Sequence, residues 1–231
     1  MTENKIDVLN GGYVRLVDHM GDDLSIVRSA RVSYDAEWRT GEDAGKDEKL
    51  INYLLKNHHT SPFESVTFTF EVKAPIFVFR QWHRHRTWSF NEVSARYTEL
   101  DMGWYVPELD KITTQSKDNK QMRTNEFHDK ADVIRDTING YCKRSFEGYN
   151  LLLRTGCPRE LARGVLPVNA YSKMFATIDL MNLFKFITLR SHSHAQYEIK
   201  VYSDSMLKLI EPIVPFASKA FKEVVLTPQN S

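Results

Sequence analysis

The chain has 231 residues, 42% of them hydrophobic and 26% charged, with a formal net charge of +1 and a pI of about 7.8. That length supports one large domain or two small ones around a substantial core, and the charge balance excludes the global basic field that attracts nucleic acid. Residues 1–10 are polar, no apolar run reaches bilayer length, and Cys142 and Cys157 are too few for a disulfide framework. The expectation is a reduced, cytoplasmic setting with no signal peptide, no nucleic acid and no membrane.

Residues 6–21 alternate around Asn10-Gly11-Gly12, which predicts two short strands joined by a turn. Asp22 or Asp23 then caps a helix through Val27 and Ala30 to about Ser33. The charged stretch 39–47 predicts a loop, and Leu50, Ile51, Leu54 and Leu55 give 48–57 helical spacing. Over 60–64 the order predicts a helix start, with Ser61 as cap, Pro62 at the first position and Glu64 as return partner. Residues 66–73 form the clearest strand: Val66, Phe68, Phe70 and Val72 face one way, Thr67, Thr69, Glu71 and Lys73 the other. Pro75 ends it, and 76–83 predicts a helix.

Residues 101–121 are polar and irregular, a mobile connection. Phe127, Ala131, Ile134, Ile138, Tyr141, Tyr149 and Leu152 recur at three-to-four spacing, predicting one long amphipathic helix over 126–154, closed by Gly156 and Pro158. Further helices are expected over 159–165, 179–190 and 194–210, the last with Ile199, Tyr202, Met206 and Ile210 on one face. The fold class is α+β, an antiparallel sheet packed with several helices. No βαβ alternation and no G-x-G-x-x-G occurs, which argues against a Rossmann domain.

Residues 84–97 read Arg-His-Arg-Thr-Trp-Ser-Phe-Asn-Glu-Val-Ser-Ala-Arg-Tyr. A core has little use for so many polar groups, because burying an unpaired charge is costly. A solvated loop has little use for Trp82, Trp88, Phe90 and Tyr97. Guanidinium forks beside flat rings suit a ligand with both phosphate and a planar ring, which is a nucleotide.

Arg84-His85-Arg86, then seven residues, then Ser94, with Asn91-Glu92 before it and Arg96-Tyr97 after it, resembles the signature of the flavin-dependent thymidylate synthases. The resemblance runs from about Ile6 to about Ile210 and implies a single domain of that family over 1–231. It also implies conversion of dUMP to dTMP with 5,10-methylenetetrahydrofolate as one-carbon donor and FAD, reduced by NADPH, as hydride source. No enzyme cysteine acts as nucleophile in that family. Its members are homotetramers with sites shared between subunits, and the arginine elements here lie far apart in sequence.

Carried onto this chain, the resemblance puts Gln81 and Arg84 on the dUMP side and Arg84, His85 and Arg86 along FAD. Glu92 sits between the two ligands, and Ser94 and Arg96 receive the dUMP phosphate. Pro158–Pro167 resembles a second arginine element in which Arg163 contacts the nucleotide; alone, Arg159 and Arg163 equally suit a surface ladder. The arginine matching Arg190 lies against the uracil and favours loss of its N3 proton; a guanidinium stabilises the anion without being the base. His59 and Ser61 resemble residues near FAD. Residues 179–185 depart from one common form, which has Asn, Arg and Asn where this chain has Asp179, Met181 and Lys185. Flavin binding there falls to Asp179 and Lys185.

Competing readings fit individual features. Ser94 as a nucleophile needs a base beside it, and Cys157 has no adjacent His or Lys to activate it. The histidines at 58, 59, 83, 85, 192 and 194 suggest a metal-dependent hydrolase but lack a recognised metal spacing with a carboxylate, so no metal is expected. A single-stranded nucleic-acid-binding module on 80–96 conflicts with the near-zero net charge.

Overall fold

The computed structural model describes residues 4–192 and 194–227. Its centre is a five-stranded antiparallel sheet made of β1 (Lys5–Val8), β2 (Gly12–Met20), β3 (Thr67–Pro75), β4 (Ser89–Glu92) and a later strand, Tyr171–Asp179. A separate hairpin joins β5 (Thr113–Gln115) to β6 (Arg123–Phe127), so Tyr171–Asp179 is β7, and the sheet order is β1-β2-β3-β7-β4. The helices are α1 (Asp23–Arg31), α2 (Ala44–Lys56), α3 (Ile76–Trp82), α4 (Ala131–Arg154), α5 (Arg159–Ala162), α6 (Leu180–Arg190), α7 (Tyr197–Ile210) and α8 (Pro215–Phe221). This is the expected α+β class with an antiparallel sheet.

The β3 alternation does what its sequence requires. Phe68, Phe70, Val72 and Ala74 are buried and pair across to Ile178, Ala176, Met174 and Ser172 of β7, which line the same inner face. α7 lays its predicted stripe of Ile199, Tyr202, Met206 and Ile210 into that core, where Tyr202 Oη donates to the Lys73 carbonyl at 2.8 Å. The outer face is polar, but Glu71 on it is only 6% exposed. Burial alone would raise its carboxyl; donation from Arg15 and Tyr13 outweighs that and holds it below the usual glutamate range.

Several expectations change. Asp22 caps α1 through a capping box with Ser25. Ser61 caps nothing: Ser61–Ser65 is a single 3₁₀ turn that enters β3 at once, without a side-chain cap. The predicted loop 39–47 already contains the first turn of α2, which starts at Ala44 because Asp43 accepts from the Gly45 and Lys46 N–H groups. The long helix begins at Ala131 rather than 126, since 123–127 is recruited by pairing with β5 and leaves Phe127 62% exposed. Its buried positions are Ala131, Cys142, Phe146 and Tyr149, so Tyr141 faces solvent. The stretch 101–121 supplies a short turn and β5. α7 begins at Tyr197, three residues later than expected.

Candidate active site

The signature is displayed by α3, the turn after it and β4. α3 is anchored by Phe79 and Trp82, whose ring stacks on Phe186 at 4.8 Å. The Arg84 N–H then donates to the Gln81 carbonyl at 3.3 Å and the His85 N–H to the Trp82 carbonyl at 2.9 Å. This tight turn throws Arg84 and Arg86 outward and returns Trp88 to the core, edge-on to Trp82 at 5.5 Å. Trp82 and Trp88 therefore serve the core and offer no face to a ligand, contrary to the stacking expectation; the nearby charges keep to the outside. Arg84 and Arg86 are exposed, and their side chains have no ion-pair or hydrogen-bond partner among the described residues.

Gln81, Thr188, Arg190, His192 and Gln196 line an open cleft of about 640 Å³. The last residue of α6, Arg190, turns back onto the signature turn. Its Nε–H donates to His85 Nε2 at 2.8 Å, and its Nη2 reaches the Gln81 carbonyl at 3.5 Å. Burial, then the neighbouring Arg190 charge, pushes the His85 imidazole down to about 4, so it is neutral at physiological pH. The Gln81 side-chain amide donates to Gln196, and Gln196 donates to Glu198 at 2.8 Å. Glu198 is 2% exposed and accepts two bonds from Arg123 of β6, at 2.8 and 2.9 Å, and one from Tyr105 Oη at 3.1 Å. The hairpin is thereby tied to the cleft, and a second groove of about 500 Å³ between hairpin and α7 shares Gln121, His194, Ala195 and Gln196 with it.

Glu92, Ser94 and Arg163 line a different cleft of about 400 Å³, together with Ile76 and Ser172. Ser172 Oγ donates to Glu92 Oε1 at 2.6 Å, tying that carboxylate of the edge strand β4 to β7. The Ser94 hydroxyl accepts from the Arg96 N–H at 3.3 Å, and no hydrogen bond joins it to a base among the described residues. Arg96 leans toward Glu160 of α5 at 3.9 Å, while the exposed Arg163 has no side-chain partner among the described residues. Ile76 and Gln81 mark the two clefts at opposite ends of α3, about 7.5 Å of helical rise apart. One chain thus brings Gln81, His85 and Arg190 together, and separately Glu92, Ser94 and Arg163.

The remaining expected residues gather at the other end of α6. Asp179 caps that helix, accepting from the Asn182 N–H at 2.9 Å and from its side-chain amide at 2.6 Å. Lys185 Nζ donates to the Asn182 side-chain oxygen Oδ1 at 3.4 Å, so Asn182 links the two residues. The 61–65 turn packs on α6 through Phe63 and Phe184, with ring centroids 6.4 Å apart, and the exposed Ser61 and His59 lie at its start. His59 stands edge-on to Tyr53 at 5.9 Å. From Leu180 to Arg190, α6 spans about 15 Å.

Sequence reasoning gave no functional role to Ser172, Asn182, Gln196, Glu198 or Arg123. Among the described residues no group of three or more His, Cys, Asp or Glu is placed to hold a metal ion, and no helix is long and apolar enough to cross a membrane.

Comparison with known proteins bears directly on this arrangement. The family described as thymidylate synthase complementing protein matches residues 15–216. A flavin-dependent thymidylate synthase of Ehrlichia ruminantium (strain Gardel) is 46% identical over 224 residues, which covers 96% of this chain and 74% of that protein. One from Thermotoga neapolitana is 42% identical over 217 residues, covering 94% of each. Among solved structures, the UMP/dUMP methylase PolB from Streptomyces cacaoi, bound with 5-Br dUMP, is similar at a TM-score of 0.85 and 36% identity, covering 95% of this chain and 98% of that chain. With the signature turn, the arginines and nearly the whole fold inside the matched span, the chain belongs to the flavin-dependent thymidylate synthase family of enzymes.

Proposed function

We propose that the protein methylates dUMP to dTMP, taking the one-carbon unit from 5,10-methylenetetrahydrofolate and reducing equivalents from NADPH. The observation that carries this reading is Arg190, held over a cleft beside Gln81 by a neutral histidine, with no carboxylate bonded to its side chain among the described residues. Such a cation stabilises the negative charge that a uracil ring acquires when its N3 proton is lost and C5 becomes nucleophilic. Arg163, Ser94 and Arg96 offer donors for a phosphate, and Ser172 holds the Glu92 carboxylate, which this reading assigns to the space between nucleotide and flavin. The same reading includes a homotetramer whose dUMP sites are shared between chains.

The residues present fit a flavin dinucleotide. Arg84 and Arg86 are exposed and unpaired among the described residues, which suits a pyrophosphate. The Asp179–Asn182–Lys185 set, with His59 and Ser61, offers donors and acceptors near the start of α6. FAD supplies the hydride that completes the methyl group. The chain binds and orients the reactants and stabilises charge. Ser94 belongs to binding, and the protein is expected in the cytoplasm as one domain, without nucleic-acid or membrane partners.

The test is a visible spectrum of the purified protein, followed by NADPH with and without dUMP. A bound flavin that bleaches is expected. A colourless protein that also ignores added FAD would refute the enzyme reading. Neither cysteine lines the two clefts: Cys142 is buried in α4 and Cys157 sits in the turn before α5, its thiol against the Pro158 carbonyl at 3.7 Å. Cys157→Ala is therefore expected to keep wild-type dTMP formation; a folded variant without activity would restore a thiolate mechanism.

A further inference from the structure

We infer that His85 is the positioning residue for Arg190, holding its guanidinium with an uncharged acceptor so that the whole positive charge stays available to the nucleotide. This rests on the dUMP reading above and gives His85 a task on the nucleotide side, through Arg190. Arg190 has five N–H groups. Its Nε–H is spent on His85 and one Nη2–H on the Gln81 carbonyl, leaving the other three without a partner among the described residues, at the rim of the cleft that Arg190 lines.

The acceptor is itself held. The His85 ring stands edge-on to Phe186 at 4.9 Å, and its backbone N–H is bonded to the Trp82 carbonyl. Phe186 lies four residues before Arg190 on α6, so one helix face supplies both the wall for the imidazole and the arginine that it orients. Because Nε2 accepts, the ring proton resides on Nδ1. A carboxylate in the same place would orient the fork equally well, but its charge would cancel the field that the uracil needs. A neutral imidazole separates orientation from charge compensation.

The experiment compares His85→Ala, His85→Gln and His85→Glu, each in wild-type and Arg190→Lys backgrounds. It reads flavin content, dUMP affinity by calorimetry and turnover. His85→Ala, assayed with FAD saturating, is expected to lose turnover on the order of a hundredfold, as misplacing a catalytic group does. His85→Gln, with an uncharged oxygen acceptor, should recover most of that loss. His85→Glu, an acceptor with a charge, should not. In the Arg190→Lys background, where the fork is gone, the three variants should differ little.

Equal losses from His85→Ala in both backgrounds would overturn the inference. So would unchanged turnover in flavin-saturated His85→Ala, failure of His85→Gln to rescue, or full activity in His85→Glu. Wild-type protein that binds no dUMP would refute the substrate reading and this inference with it, whereas dUMP binding without the cycle pattern refutes this inference alone.

Discussion

Replacing Arg190 with lysine is expected to lower turnover by about 100- to 1000-fold, the range for removing a preorganised donor from a developing anion, while dUMP affinity changes far less. Lysine keeps a positive charge but loses the planar fork. In the wild type that fork is clamped on one edge by His85 and the Gln81 carbonyl, at 2.8 and 3.5 Å. An ammonium on a flexible stem has no second edge to present, so it attracts the nucleotide without being aimed at the uracil. Charge therefore survives in the ground state, and alignment is lost where it matters, in the transition state. Steady-state turnover set beside calorimetric dUMP binding separates the two. Equal losses in both would mean that Arg190 only binds substrate, and the catalytic assignment would fail.

The parts of the fold written in side-chain period were legible in the sequence. β3 alternates large apolar and polar residues, and the buried stripe of α7 repeats at helical spacing; both occur as expected. β7 was not legible because its inner positions include the small Ser172 and Ala176 while Tyr171 and Phe175 sit on the other side, so hydrophobicity does not mark the face. The early start given to α4 has a similar cause. Phe127 fits a helical spacing by coincidence, but hairpin pairing with Thr113 decides its conformation.

The candidate site divides the same way. Its charged members could be picked out from the signature turn, since their density has no use in a core. Their partners could not, because the bonds that orient them join residues more than a hundred positions apart, His85 to Arg190 and Gln81 to Gln196. The interleaved tryptophans misled for a physical reason: composition does not tell a ring that stacks on a ligand from one that anchors the turn beside it.

The largest stability effect is expected from Arg123→Ala. Glu198 is almost fully buried, and Arg123 supplies its only charged partner among the described residues, by two bonds from one guanidinium nitrogen. Removing that partner leaves a buried carboxylate with only Tyr105 Oη and the Gln196 amide as donors, and stranding a buried charge costs about 3–5 kcal/mol. Arg123 itself is one-third solvent-exposed, at 33%, so water partly replaces it and the loss should fall near the lower end, about 3 kcal/mol. Urea unfolding at neutral pH measures it. Adding Glu198→Gln to the same variant removes the stranded charge and should recover much of the lost stability, which a simple packing defect would not do. The effect should also reach the cleft, since Glu198 holds Gln196 and Gln196 holds Gln81. Arg123→Ala is thus expected to weaken dUMP binding from outside the cleft that Gln81 and Arg190 line. Unchanged stability would show that the hairpin is not anchored by this pair, and unchanged dUMP binding in a destabilised variant would separate the hairpin from the site.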